Sequence, residues 1–206
     1  MAIVFETQNG LAEAINRILT KSPQYHQRSA DHSVTEAFYF VDPENNGVEL
    51  YYDRPRDQWI YVDGKPVMGS TYINEKEYIN KYLNNSNSPT KMGHIHLRIG
   101  NIENAKTFYS DILLFDVITQ SSNSLFISKD GYHHHLGINT WQSNGAEKRP
   151  EDLTGLKSFQ IKYYSLDLFK RVLENLRSKN IQVNQISEKS FSTLDPWNNL
   201  IYLDLY

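Results

Sequence analysis

The sequence predicts an α+β fold built from repeated β-α-β-β-β modules, and three observations indicate it. The order of one strand, one helix and three strands occurs at about residues 91–141 and again at about 154–206. The turn and strand at 42–50 match residues 195–203 in register, with an offset of 153. A polar stretch separates this first copy from the other two. The chain therefore contains three related modules, of which the first is the shortest.

The first module begins inside its own first strand, the apolar run Ala2–Phe5. The helix that follows has one apolar face, formed by Leu11, Ile15, Ile18 and Leu19. Strands are predicted at 33–40 and 48–52, on either side of an Asp-Pro-Glu-Asn-Asn-Gly turn. The module ends near residue 55.

Residues 56–90 are predicted as a linker with a short helix at 73–83 and a low-complexity segment at 84–89. The complete domain is expected from 91 to 206. Its elements are a strand at 94–99, a helix at 102–114, strands at 117–119, 124–128 and 133–140, then a strand at 156–163, a helix at 165–179 and strands near 183, 190 and 200–206.

Composition excludes several classes of partner. The 24 acidic and 21 basic residues give a net charge of −3 and are spread along the chain, so no basic surface for nucleic acid or an anionic membrane is expected. There is no cysteine, hence no disulfide and no thiolate ligand, which is typical of a reducing compartment. No apolar run has the length of a membrane span. We therefore expect a cytoplasmic protein.

Histidines are the main candidates for chemistry. His94 and His96 alternate along a predicted strand and share one face, and residues 133–135 are three consecutive histidines at the start of another strand. Two strands of one sheet can bring two imidazoles to one metal ion. The alternative is that these rings form local hydrogen bonds without a metal. Glu49 is either a ligand or a solvated charge on an edge strand.

Longer motifs resemble a known family. They are Met92–Ile99 with Ala105–Phe115, Gly131–Trp141, Asp31–Tyr39 and Asp42–Asp53. Together they are similar to the vicinal oxygen chelate superfamily of glyoxalases, bleomycin resistance proteins and extradiol dioxygenases. The motif Gly131–Trp141 is similar to a stretch that is typical of the catechol 2,3-dioxygenase-like branch. Members of that branch have four modules, so this chain resembles one that lacks the first.

The resemblance implies a cup-shaped mixed sheet, with residues 91–206 as the paired domain and 1–55 as an unpaired module. It also implies a divalent metal, namely iron(II), zinc or nickel, and a small-molecule ligand. The implied metal ligands are His94, His134 and Glu49, the implied catalytic residues are His134 and Tyr39, and the implied substrate-binding residues are Tyr132, Trp141 and Tyr202.

Two positions depart from the family pattern. Where the dioxygenases have a second histidine ligand and a carboxylate, this chain has Ser158 and Tyr202, which are poor ligands for a first-row divalent ion. In the first module Glu49 matches the carboxylate, but its histidine partner would precede Met1. Each site taken alone is therefore expected to be incomplete.

Three functions remain open from the sequence. The first is a metal-dependent lyase, isomerase or ring-cleaving dioxygenase. The second is a non-catalytic protein that binds a small ligand in the manner of bleomycin resistance proteins, and the third is a degenerate, truncated product. Because half of a cup exposes apolar surface, the first module is also expected to pair with a second copy in a homodimer.

Overall fold

The computed structural model describes residues 1–84 and 88–206, which form two compact units. The first unit comprises Met1–His96 and Ser128–Gly137, and the second comprises Leu97–Ile127 and Ile138–Tyr206. Both contain helices beside sheets, so the predicted α+β class is confirmed. Among the described residues, no helix combines the length and apolar character needed to cross a membrane.

The first unit is built on a mixed sheet. Its elements are β1 (Ala2–Phe5), α1 (Gln8–Lys21), β2 (His26–Asp31), β3 (Thr35–Val41), β4 (Gly47–Asp53), β5 (Tyr61–Val62), β6 (Lys65–Pro66), α2 (Glu75–Tyr82) and the greater part of β7 (Thr90–Arg98), with short 3₁₀ turns at Pro23–Tyr25 and Arg56–Gln58. The strand order is β2-β3-β4-β1-β7, and β5 and β6 form a separate hairpin. Strands β1 and β4 are parallel, whereas the other neighbours in this order are antiparallel.

Helix α1 covers one face of this sheet. Its first turn is capped by Thr7, whose hydroxyl accepts the backbone N–H of Gly10. Leu11 and Ile15 are fully buried in a cluster with Phe38 and Leu50 of the sheet. Because side chains alternate along strands, a second cluster lies on the other face and consists of Ala2, Val4, Ala37 and Tyr51. That second face carries the candidate site.

The segment predicted as a linker packs against this unit. Helix α2 lies within the helix predicted at 73–83. Its Tyr78 joins the α1 cluster and donates a hydrogen bond of 3.0 Å to Glu36 Oε2. Of the low-complexity segment at 84–89, residues 85–87 lie outside the described residues. The domain boundaries at 55 and 91 stay a prediction.

The second unit holds the remaining elements. They are α3 (Ile102–Lys106), which continues as a π-helical turn (Thr107–Ile112), β8 (Asp116–Gln120), β9 (Ser124–Ser128), β10 (Leu136–Asn139), β11 (Ser158–Tyr163), α4 (Leu166–Ser178), β12 (Asn184–Ser187), β13 (Ser190–Leu194) and β14 (Leu200–Leu205). Strands β7, β9 and β10 have residues in both units. The last module forms its own sheet in the order β11-β14-β13-β12.

The internal repeat has the register that the sequence predicts. Ala2 pairs with Glu49 across parallel strands, and Gln160 pairs with Tyr202 in the same way. On the other side of each last strand, Glu49 pairs with Tyr39 and Tyr202 pairs with Ser192. Strands β4 and β14 therefore occupy equivalent positions in their modules.

The turn before each of these strands is closed by an aspartate. Its Oδ1 accepts the backbone N–H groups of the residues two and four positions later, at 2.9 and 2.7 Å for Asp42 and at 2.9 and 2.8 Å for Asp195. In both turns the third position after the aspartate is an asparagine with a positive φ, 65° at Asn45 and 66° at Asn198. The turns at Asp42 and Asp195 therefore have the same conformation, held by equivalent hydrogen bonds.

Two expectations differ from the structure. The first module is not left unpaired, because β1 forms an antiparallel ladder with Thr90–His94 of β7 on the side away from β4. Unpaired N–H and C=O groups at a strand edge need partners, and the chain itself supplies them here. Homodimer formation, which was expected from that edge, stays a prediction. Strand β2 was missed because its sequence, His-Gln-Arg-Ser-Ala-Asp, has no apolar alternation.

We expect Asp195→Ala to lower the free energy of unfolding by about 3 kcal/mol. Asp195 is buried, and its Oδ2 also accepts a 2.7 Å hydrogen bond from the buried hydroxyl of Tyr109, which the substitution leaves without a partner. Asp42→Ala removes the same turn contacts at an exposed site and is the matched control, with a smaller expected loss. Urea unfolding of both variants measures the difference, and equal losses would contradict it.

Candidate metal centre

Four side chains form a row across the first unit's sheet, on the face away from α1. Tyr39, Glu49, Ala2 and His94 are paired in register on β3, β4, β1 and β7, and residues paired on neighbouring strands lie on one face. Ala2 is fully buried and carries only a methyl group. Glu49 and His94 therefore reach each other above it, with 3.0 Å between Glu49 Oε2 and His94 Nε2.

Glu49 is a buried carboxylate held by imidazoles. The same Oε2 lies 3.3 Å from His96 Nε2. Burial alone would raise the pKa of Glu49, but the contacts from His94 and His96 outweigh it and hold that pKa well below its usual range. Strand β4 lies between β3 and β1, so the alternative of a solvated charge on an edge strand does not hold.

Two glycines make room for the site. A Cβ atom at Gly137 would lie 2.7 Å from Nδ1 and 2.8 Å from Cε1 of His96. A Cβ atom at Gly93 would collide with the phenol ring of Tyr51. Only glycine lets the backbone approach these rings so closely.

The run of three histidines lies in an irregular segment rather than at the start of a strand. Strand β10 begins at Leu136, after the run. Outside a strand the two-residue alternation does not apply, and the adjacent His133 and His134 are both buried, with 2.8 Å between their Nδ1 atoms. His135 is exposed, and its Nδ1 accepts the backbone N–H of Lys129 at 3.2 Å.

His94, His96 and His134 form a cluster that can hold a metal ion. Each offers one ring nitrogen, and these three atoms lie within 4.8 Å of one another. The buried Nδ1 of His94 has no hydrogen-bond partner in the part of the chain that the structure describes. An unsatisfied nitrogen among imidazoles and a carboxylate fits a first-row divalent ion, for which these donors are suited.

Two of these imidazoles, those of His94 and His134, are in the protonation state that ligation needs. Burial, reinforced by His96 and His133 and opposed by Glu49, lowers the pKa of His94 to about 4. Burial likewise lowers the pKa of His134 well below its ordinary value. Both rings are therefore neutral at pH 7, and each has a nitrogen lone pair for a metal.

Tyr39 lies at the other end of the row and contacts a further histidine. Its hydroxyl is 2.8 Å from His32 Nε2, while His32 Nδ1 is 2.8 Å from the carbonyl oxygen of Gly69. A carbonyl only accepts, so His32 Nδ1 carries the hydrogen, and the neutral form of this ring accepts from Tyr39 at Nε2. Burial and the charge of Glu49 raise the pKa of Tyr39, which keeps this hydroxyl protonated.

The structure brings together three of the residues predicted from the sequence, His94, His134 and Glu49, and their role as ligands stays a prediction. Sequence reasoning placed Glu49 in one incomplete site and the histidines in another; β1 pairs with both of their strands and joins them. Sequence reasoning left His96 out of the predicted ligands. The signal for it was the alternation of His94 and His96, which places both side chains on one face of the strand. The reasoning also missed Asp53, which follows Glu49 at an even spacing on the same strand.

The predicted substrate-binding residues are divided between the units. Tyr132 lies in the first unit, where its hydroxyl donates to Asp53 Oδ2 at 2.8 Å. Trp141 and Tyr202 lie in the second unit, as does Ser158, and Trp141 is exposed. Substrate contact by these residues stays a prediction.

Known proteins resemble the chain in sequence and in structure. The chain is 32% identical over 173 aligned residues to catechol-2,3-dioxygenase from Bacillus subtilis strain 168. The aligned region covers 81% of this chain and 60% of that protein. The chain thus spans about three fifths of that relative's length. Solved structures with weaker likeness include lactoylglutathione lyase from Agrobacterium tumefaciens (13% identity, 56% of this chain and 92% of that one, TM-score 0.42) and fosfomycin resistance protein FosX from Mesorhizobium loti (15% identity, 56% and 92%, TM-score 0.42).

A family model extends over more than half of the chain. The model described as glyoxalase/bleomycin resistance protein/dioxygenase superfamily matches residues 91–201, which begin just before the two histidines of β7 and end inside β14. The match includes the opening strand, the helix motif and the histidine run on which the resemblance was based. The chain therefore belongs to the glyoxalase/bleomycin resistance protein/dioxygenase superfamily.

Proposed function

We propose that the first unit binds one divalent metal ion through His94, His96 and His134, beside Glu49, and uses it in the ring cleavage of a catechol. The observation that carries the proposal is the meeting of three imidazoles and a buried carboxylate on one face of one sheet. Two or more imidazoles with one carboxylate are a common ligand set of non-haem iron(II) and zinc sites. The similarity to the Bacillus subtilis catechol-2,3-dioxygenase supports the substrate class.

The bound ion would supply Lewis acidity toward two adjacent substrate oxygens and, as iron(II), reactivity with O₂. Ring cleavage of this kind incorporates both atoms of O₂ and consumes no external reductant. The protein's part is to hold the substrate and move its protons. Burial of His94, Glu49 and His134 excludes water from the inner side of the site.

Tyr39 and His32 form the proton path that we assign to this reaction. Tyr39 Oη lies 2.8 Å from His32 Nε2, so its oxygen would accept a proton from a substrate hydroxyl as its own proton passes to His32. Because Tyr39 is paired with Glu49 in the row, its hydroxyl lies on the face that carries the ligand cluster. Homodimer formation and a cytoplasmic location remain predictions from the sequence.

Metal binding is tested on protein purified without a histidine tag and freed of metal by a chelator. Calorimetric titration with zinc is expected to show one equivalent bound, and His94→Ala or His134→Ala should weaken binding by about 100-fold or more. His135→Ala is the control, because that exposed ring is held by Lys129 and is outside the cluster. Unchanged binding in His94→Ala would place the metal elsewhere.

A second variant tests the position of His96 without removing a ligand. In Gly137→Ala the added methyl group would meet the His96 ring, so the ring must move and zinc affinity should fall by about 10-fold. Gly47→Ala adds a methyl group where no atom lies within 4 Å and should bind zinc like the parent protein. Equal affinities of the two variants would show that His96 is not a ligand.

Catalysis is tested by the absorbance of the ring-opened product, with catechol and O₂ supplied to the iron(II)-loaded protein. Tyr39→Phe is expected to lower kcat by about 100-fold or more, because proton transfer to Tyr39 Oη is lost. Its zinc affinity should stay at the parent value. Metal binding without any ring cleavage by the parent would refute the reaction and favour the alternative of a protein that binds a small ligand without chemistry.

A further inference from the structure

A hydrogen-bonded chain leads from Asp53 to the candidate ligand His134. Asp53 Oδ1 is 3.0 Å from His133 Nε2, and His133 Nδ1 is 2.8 Å from His134 Nδ1. The side chain of His133 is 1% exposed, while that of Asp53 is 28% exposed. Asp53 ends β4, the strand that carries Glu49, so one strand supplies a carboxylate to each side of the cluster.

The chemistry of these groups fixes which nitrogen carries each hydrogen. An ionised carboxylate only accepts, so the hydrogen between Asp53 and His133 is on His133 Nε2. When the ring of His133 carries only this one hydrogen, its Nδ1 has a lone pair. Because one of the two facing Nδ1 atoms must donate, His134 Nδ1 carries the hydrogen, and the lone pair of His134 is at Nε2.

The opposite arrangement would disable the ligand. If His133 carried its hydrogen at Nδ1, it would donate to His134 Nδ1 and His134 would carry its own hydrogen at Nε2. A protonated Nε2 has no lone pair for a metal ion. Asp53, the acceptor at the far end of this series of hydrogen bonds, therefore decides whether His134 can bind a metal ion at Nε2.

Neighbouring groups hold the acceptor in place. Tyr132 Oη donates to the other oxygen of Asp53 at 2.8 Å, and Tyr51 Oη lies 2.9 Å from Tyr132 Oη. The Tyr132 ring packs on His133 with 4.0 Å between centroids, and Trp59 contacts the same imidazole at 5.8 Å. Each oxygen of Asp53 thus has its own donor, and two aromatic rings contact His133.

We propose that Asp53 and His133 are positioning residues that set the tautomer of His134, so that its Nε2 is presented to a divalent metal ion. The inference rests on the proposed metal function. It differs from that function because it concerns residues that do not touch the metal. It also makes a statement about the metal-free protein, which can be tested separately.

The first test is NMR of the metal-free parent protein with ¹⁵N-labelled histidine. We expect His133 in the Nε2–H form and His134 in the Nδ1–H form, as read from the nitrogen shifts and two-bond couplings of each ring. His133 in the Nδ1–H form would overturn the proposal without any variant. Expected tautomers together with no zinc binding by the parent would refute the metal function and leave the tautomer assignment confirmed.

The second test uses Asp53→Asn, whose amide can donate to His133 Nε2 and so permits the reversed chain. We expect His134 to shift toward the Nε2–H form and zinc affinity to fall by about 10- to 100-fold. Tyr132→Phe is the matched control: it removes the bond to Asp53 Oδ2 but leaves Oδ1 on His133, so it should keep the parent tautomers and lower zinc affinity less than Asp53→Asn does. Parent tautomers and parent affinity in Asp53→Asn would overturn the proposal.

Discussion

A single methyl group, that of Ala2, separates Glu49 from His94. The two residues lie on strands with β1 between them, so their backbones are about 10 Å apart, two strand spacings of about 4.8 Å each. A glutamate and a histidine can close that gap only if the residue between them is small. Ala2 is in register with both and fully buried. The rest of the candidate site depends on this space.

Neither His94 nor His134 supplies a positive charge to balance Glu49. Glu49 is ionised, while burial keeps His94 and His134 neutral at pH 7. A buried carboxylate without a cation is costly and relies on hydrogen bonds from neighbouring N–H groups. The cluster thus combines one negative charge with several nitrogen lone pairs, an environment that favours a cation over a proton. The same low pKa of His94 that disfavours its protonation leaves its lone pair available.

Local patterns in the sequence were enough to predict the modules but not their pairing. The Asp-Pro-x-Asn-Asn turns, the apolar face of α1 and the equivalence of residues 42–50 with 195–203 follow from periodicity and repetition. The pairing of β1 with β7 does not, because no local pattern states which edges meet. His133 was assigned to a strand because its neighbours Leu136 to Thr140 are apolar and alternating. Once the histidine run lies in an irregular segment, adjacent rings can face one another, an arrangement that a two-residue period excludes.

The last module shows what the shared register means for chemistry. At the positions of Tyr39, Glu49 and Ala2 it has Ser192, Tyr202 and Gln160, on strands paired in the same order. The turn determines which positions become neighbours, and the residues at those positions determine what the neighbours can do. Gln160 lies on β11, an edge strand of its sheet, whereas Ala2 lies on β1, between β4 and β7. Frame and reactivity are thus encoded by different residues, since the same register places Glu49 beside Ala2 in the first module and Tyr202 beside Gln160 in the last.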